Sequence, residues 1–287
     1  TIRVSLTEEP EAEIPVAQAL VTRYSNRHDH APIPAIASPP IDPFSYTRRT
    51  STPTGNIGGS NVPTVIATPS APITRESLTP LGYTYDAPLD KWHMSDMAVD
   101  YIYIGDQTLD FELPGTLQVI QDASEWFVSP VGHPVFTAKG YQTATTKSDT
   151  LNFVQAQLAE LDKVFLETLT QDQTTVLILS SSNTHAMAEM RRIFFALSKD
   201  HCHTPAIIHR TYQEPNNAFM LYSATDAGAL FTDGFGDGIW LESSHNDNAP
   251  INRTAFGILQ AARTRISKTE YISCPSCGRT LFDLQET

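Results

Sequence analysis

The chain has 287 residues, 40% of them apolar and 18% charged, which is enough for one large or two ordinary domains and too apolar for a disordered composition. Its 19 Lys and Arg against 32 Asp and Glu give a formal net charge of −13, which argues against a protein that gains affinity by neutralising a nucleic-acid backbone. No apolar run approaches the roughly 18 residues of a membrane-spanning helix, and three cysteines, Cys202, Cys274 and Cys277, are too few for a disulfide framework and fit a reducing compartment.

In chain order, Ile2, Val4 and Leu6 alternate as a buried strand does, with no basic head or long apolar stretch of a signal peptide. Glu11 to Tyr24 follows as an amphipathic helix carrying Ile14, Ala17, Leu20 and Val21 on one side. Acids crowd its positive end and Arg23 lies near the other. A strand feeding a helix is half of an α/β unit. The strand starts at the first residue with no initiator Met, and residues 279–286 read as the opening of a helix, so the chain is expected to be a segment of a longer polypeptide.

Between Arg27 and Pro80 the character changes. Half of the 20 prolines fall between Ala31 and Pro80, with Gly55, Gly58 and Gly59 among many Ser and Thr, so long regular elements are not expected. One short strand is predicted within Val62–Thr68, and the stretch as a whole reads as an insertion boundary or an extended wrap over a surface. Arg48-Arg49 is its densest positive spot, read as a solvated loop with an anion contact as the sharper alternative.

From Asp96 onward strands are predicted at Ala98–Ile104, Leu117–Ile120 and Val135–Ala138. Val154, Leu158, Leu161, Phe165 and Leu169 form a helix stripe, and Thr174–Leu179 is a wholly apolar strand core. Asn183 or Thr184 is placed to cap a helix facing inward through Met187, Met190, Phe194 and Leu197. Strands at Pro205–His209 and Phe219–Tyr222, a short helix at Ala224–Phe231, a strand at Gly238–Leu241 and a helix at Thr254–Ile266 complete the pattern. Apolar strands alternating with helices imply parallel strands covered by helices. Periodicity alone leaves an open doubly wound sheet and a closed barrel equal, although no Gly-x-Gly-x-x-Gly ends any strand.

Cys274-Pro275-Ser276-Cys277-Gly278 is the sharpest chemical feature: two thiols two residues apart can turn onto one metal or cluster. A dithiol redox pair and an inert turn are the competing readings. Zinc or an iron–sulfur cluster would each need further ligands. Cys202, between His201 and His203, reads as a buried free cysteine rather than a third ligand, and among scattered histidines His209 at a strand end is the most interesting. The run Asp233-Gly234-Phe235-Gly236-Asp237-Gly238 reads as a structural turn, and Asp226 as a helix cap before a ligand contact. Arg3 and Ser5 share one face of the first strand, an arrangement suited to phosphate oxygen as well as to internal pairing.

Thr269-Glu270-Tyr271-Ile272-Ser273-Cys274-Pro275-Ser276-Cys277-Gly278-Arg279-Thr280-Leu281-Phe282 resembles the start of the iron–sulfur domain of the 4-hydroxy-3-methylbut-2-enyl diphosphate synthase family, in the long three-domain form found in plants and some bacteria. Residues 1–10, Leu230 to Glu242 and Ile258 to Arg263 agree with it. The resemblance implies a reductase that opens 2-C-methyl-D-erythritol 2,4-cyclodiphosphate to 4-hydroxy-3-methylbut-2-enyl diphosphate in the non-mevalonate route to isoprenoids. It implies a [4Fe–4S] cluster held by three Cys and one Glu, and reduced ferredoxin or flavodoxin as electron donor. The location implied is the cytoplasm, or the plastid stroma in a plant, with no nucleic-acid or membrane partner and with a homodimer among the assemblies to test.

By the same resemblance Cys274 and Cys277 match cluster ligands, the others lying beyond Thr287, and Arg3 and Ser5 match diphosphate contacts. The implied domains are residues 1–24, the end of the first, substrate-binding barrel; 25–80, a Pro-rich excursion or linker; 81–268, an inserted TIM-barrel-like α/β domain, complete or degenerate; and 269–287, the start of the iron–sulfur domain. Such a fragment is expected to be inactive alone, with no catalytic residue of its own. Gly238-Ile239-Trp240-Leu241-Glu242 echoes Thr1-Ile2-Arg3-Val4-Ser5, with Trp240 in the place of Arg3, so the inserted barrel is expected to have lost the phosphate site and to act as a spacer or docking domain. The alternative is a non-catalytic domain with a zinc-binding Cys pair.

Overall fold

A computed structural model of the chain describes residues 10–25 and 27–269. They fall into two compact units, one holding helix α1 and the other running from Ala31 to Ser267. Helix α1 (Pro10–Ser25) forms where the sequence predicts it, with Glu11 and Glu13 in its first turn and Arg23 in its last. The strand expected over residues 1–6 lies outside the described residues.

In the second unit, β1 (Thr64–Ala67) rises out of the Pro-rich stretch inside the window predicted for it. A 3₁₀ turn (Glu76–Leu81) and an antiparallel hairpin, β2 (Tyr83–Asp86) with β3 (Lys91–Met94), follow it. The chain then alternates through β4 (Tyr101–Gly105), β5 (Gln118–Asp122), α2 (Ala123–Trp126), β6 (His133–Thr137), α3 (Ala138–Thr143), β7 (Asn152–Ala156), α4 (Lys163–Gln171) and β8 (Thr175–Leu179). It ends with α5 (Ala186–Lys199), β9 (Ala206–Tyr212), α6 (Asn216–Thr232), β10 (Gly238–Ser243) and α7 (Asn248–Ala261).

Strands β1 and β4 to β10 are all parallel and close into an eight-stranded barrel, β1 pairing with both β10 and β4. The fold is TIM-barrel-like, which settles the choice between open sheet and barrel. Because side chains alternate along each strand, two cores result. Ile66, Tyr101, Ile120, Val135, Phe153, Ile178, Ile207 and Trp240 fill the barrel, while Val65, Ile102, Val119, Leu177, Ile208 and Ile239 pack outward. The cladding is uneven. On the β7–β10 side, α4 to α7 cover the sheet, with Phe165, Phe194, Leu230 and Phe256 buried beneath them; on the β1–β6 side the hairpin and the short α2 and α3 stand in for full helices.

Several elements differ from the sequence reading. The stripe from Val154 to Leu169 is a strand, a 3₁₀ turn (Leu158–Glu160) and a helix in succession. Gln157 N–H donates to Glu160 Oε2 at 2.8 Å and Asp162 caps α4 by accepting from Phe165 N–H at 2.8 Å, so the chain turns before the helix starts. Phe219–Tyr222, expected as a strand, is the beginning of α6. Its buried Phe219, Ser223, Ala227 and Leu230 fall at helical spacing, and the Ser223 hydroxyl donates back to the Phe219 carbonyl at 2.7 Å. Helix α7 starts before the predicted Thr254, since Pro250 in its first turn needs no backbone partner, and stops before the predicted Ile266, ahead of Arg263 at φ 59°. Neither Asn183 nor Thr184 caps α5; the cap residue is His185, whose N–H donates to Asn183 Oδ1 at 2.9 Å.

The second half of the Pro-rich stretch closes the floor, the end at which the strands begin. Arg49 N–H donates to Gly234 O at 2.9 Å and Thr52 N–H to His203 O at 2.7 Å. A tight turn with a bridge between Thr54 and Ile57 then inserts Ile57, fully buried, into the barrel's inner core, and the Tyr101 hydroxyl donates to Asn56 Oδ1. Arg48 and Arg49 are therefore not a solvated loop. They converge with Ser51 on the buried carboxylate of Asp237: Ser51 Oγ donates at 2.7 Å, Arg48 Nη2 lies 3.3 Å away and Arg49 Nη1 3.8 Å away. Asp237 also accepts from Ala206 N–H at 3.0 Å, and Arg49 Nη2 donates to Thr204 O at 3.1 Å and to Cys202 O. Burial lowers the Arg49 pKa while the Asp237 charge opposes that shift. The glycine-rich run is the structural turn expected of it: Gly234 sits at φ +83°, and a Cβ there would lie 2.3 Å from Thr47 O, at the start of the strap that residues 47–57 form across the floor.

Candidate functional site

In barrels of this kind chemistry gathers at the mouth, where the strands end. Here the inward positions near the ends of β1, β4, β5, β9 and β10 bring together Thr68, Tyr103, Asp122, His209, Thr211, Trp240 and Glu242. Trp240 lies across the top of the inner core, 1% exposed, with its ring stacked on His209 at 4.3 Å between centroids and 25° between planes. Tyr103 packs on it at 5.1 Å. The indole Nε1–H donates to Thr68 Oγ1 at 3.1 Å, and the Thr68 hydroxyl donates to Glu242 Oε1 at 2.7 Å. His209 Nε2 lies 2.8 Å from Glu242 Oε2, and the Thr211 hydroxyl stands 3.5 Å from the same oxygen.

Burial pushes the Glu242 carboxyl upward, but its bond and charge interaction with His209 and the hydroxyls of Thr68 and Thr211 outweigh that, so its pKa falls below the ordinary glutamate value. Glu242 is thus a carboxylate that accepts only, and the proton in the shared bond sits on His209 Nε2. Across the mouth the Tyr103 hydroxyl donates to Asp122 Oδ1 at 2.8 Å. Burial, that bond and the nearby charges of Asp122, Glu242 and Asp106 all raise the Tyr103 pKa, so the phenol stays protonated.

This arrangement is closed on itself. The indole N–H, the Thr68 hydroxyl, both Glu242 oxygens and the Tyr103 hydroxyl have partners within the network. A diphosphate site needs cationic or N–H donors turned toward the ligand. The network instead offers two carboxylates, and none of its members is Lys or Arg. A cleft of about 220 Å³ beside Glu242, between Thr68, Ser70, Asn246, Asn248 and Ile251, is lined by hydroxyls, amides and that carboxylate, with no basic side chain.

Of the site residues expected from sequence, Arg3, Ser5, Cys274 and Cys277 all lie outside the described residues. Cys202 is buried and its thiol donates to Thr204 Oγ1 at 3.4 Å, consistent with a free cysteine, and no group of three or more His, Cys, Asp or Glu among the described residues is arranged to hold a metal. Asp226 caps no helix. It lies buried within α6, where it accepts from the Tyr212 hydroxyl at 3.1 Å and lies 3.8 Å from Arg210 Nη2. His209, expected at the end of a strand Pro205–His209, stands instead in the middle of the longer β9 (Ala206–Tyr212), from which its ring reaches Trp240 and Glu242. Thr68, Tyr103, Asp122 and Thr211 carry one sequence signal, a polar residue or tyrosine in phase with inward apolar neighbours along a strand.

No family model matches the chain. In an alignment of 288 positions that covers its whole length, it is 39% identical to the 4-hydroxy-3-methylbut-2-en-1-yl diphosphate synthase (flavodoxin) of Parabacteroides distasonis, of which it covers 44%. Over 291 residues it is 37% identical to the protein of the same name from Bacteroides fragilis, of which it covers 43%. A stretch of 98 residues, 33% of the chain, is 45% identical to 13% of the chloroplastic 4-hydroxy-3-methylbut-2-en-1-yl diphosphate synthase (ferredoxin) of Arabidopsis thaliana. The chain therefore spans less than half the length of the curated relatives that it matches end to end. Among the described residues no helix is long and apolar enough to cross a membrane.

Proposed function

This chain is homologous end to end to part of the 4-hydroxy-3-methylbut-2-en-1-yl diphosphate synthases, and we propose that it is the central portion of such a reductase, built around a barrel that performs no chemistry itself. The longer protein would open 2-C-methyl-D-erythritol 2,4-cyclodiphosphate to 4-hydroxy-3-methylbut-2-enyl diphosphate. Its electrons would come from flavodoxin, the donor in the names of the bacterial relatives, or from ferredoxin, the donor in that of the plant relative. Residues 1–24 would complete a substrate-binding barrel in which Arg3 and Ser5 touch the diphosphate. Residues 269–287 would open the domain that holds a [4Fe–4S] cluster through Cys274, Cys277 and ligands supplied by the rest of the protein.

The single observation that carries this reading is the end-to-end identity of 39%. The cluster, when bound, supplies single electrons to the substrate. The described residues offer it no site, because Cys202 is buried and bonded to Thr204 and no set of three metal-ligating side chains converges. The barrel's part is then mechanical. Its mouth, sealed by Trp240 and carrying Glu242 and Asp122, repels a diphosphate, so the inserted unit sets the distance between the substrate barrel and the cluster domain.

The test is anaerobic purification of a protein of the relatives' full length. We expect a brown protein containing iron and sulfide, which loses both, together with its turnover of the cyclic diphosphate, on Cys274→Ser. A colourless protein loaded stoichiometrically with zinc would overturn the reductase reading in favour of a structural Cys pair.

A further inference from the structure

No further inference is drawn: the strongest candidate, the groove of about 510 Å³ between the β2–β3 hairpin and residues 112–116, has an aromatic floor but is rimmed by charges of both signs, Arg75 and Lys91 against Asp90 and Glu112, and nothing in the structure shows what covers it.

Discussion

The two ends of the barrel are closed by different means. At the floor, chain that belongs to no strand or helix does the closing: the strap through Arg48, Arg49 and Ser51 fastens to Asp237, and its tight turn delivers Ile57 into the inner core. At the mouth the barrel closes itself, with Trp240 lying over the core and Thr68, His209 and Glu242 satisfying one another around it. In a barrel enzyme the floor holds the fold together and the mouth is left open for ligands. Here both ends are packed and internally paired. The polar groups around Trp240 are bonded to one another, an arrangement that contributes to stability.

Substitutions at the two ends separate their contributions. The largest effects are expected from one residue at each. Asp237→Ala leaves the buried Arg49 without its carboxylate, an uncompensated charge that should cost about 3–5 kcal/mol in denaturant unfolding. Trp240→Ala removes the plug and should cost a similar ~3–5 kcal/mol through lost burial and the cavity left behind. If Trp240→Ala proved near neutral while Asp237→Ala was severe, only the floor would be a stability element, and the mouth would have to be reconsidered as an adaptable site. Ile57→Ala should cost about 2–5 kcal/mol, a direct measure of how firmly the strap's turn is seated. A strap that merely lay on the surface would lose far less.

Glu242→Gln is expected to have a smaller effect, about 1–3 kcal/mol, because a carboxylate that accepts from Thr68, His209 and Thr211 is replaced by a group matching only part of those bonds. It also carries a pH signature. The Glu242 pKa is lowered in the folded protein, so its contribution is fully present above the ordinary glutamate value of 4.5 and is lost as the pH falls through the lower, folded value. Stability curves of the parent and Glu242→Gln should therefore lie apart at neutral pH and converge in acid. Curves that stayed parallel would mean that His209 and Thr68 do not hold the carboxylate as described. The subtlest expectation concerns binding: inorganic diphosphate titrated into residues 31–267 in their full chain should give no saturable heat assignable to the mouth, and a signal abolished by Trp240→Ala would reverse that assignment.

How much of this was legible in the sequence depends on whether neighbours along the chain decided the outcome. Thr175–Leu179 is buried on both faces, so the apolar run Val176–Leu179 announces a parallel strand, and the alternation of such strands with helices points to the α/β class. Closure was not legible, because an open sheet and a barrel bury the same strand pattern. Local rivalry produced the errors: Val154 happens to stand four residues before Leu158, and Phe219–Tyr222 has the aromatic bias of a strand although its buried side chains repeat at helical spacing. As sequence the strap looks like a wrap or a boundary with a solvated Arg48-Arg49 loop, since the partner of Arg49, Asp237, lies far along the chain. The mouth showed one residue of its network, His209, and the echo that singled out Trp240. Thr68, Tyr103 and Asp122 look ordinary until closure brings their strands together. The residues given chemical roles by resemblance, Arg3, Ser5, Cys274 and Cys277, lie outside the described part of the chain.

The proposed division of labour between a silent barrel and the flanking segments is read directly by turnover of the cyclic diphosphate by a protein of the relatives' full length carrying either Glu242→Gln or Cys274→Ser. Glu242→Gln is expected to lower the melting temperature and leave kcat/KM unchanged, while Cys274→Ser is expected to abolish turnover. Loss of kcat/KM in Glu242→Gln at a temperature where that variant remains folded would place chemistry at the mouth of this barrel and contradict the claim.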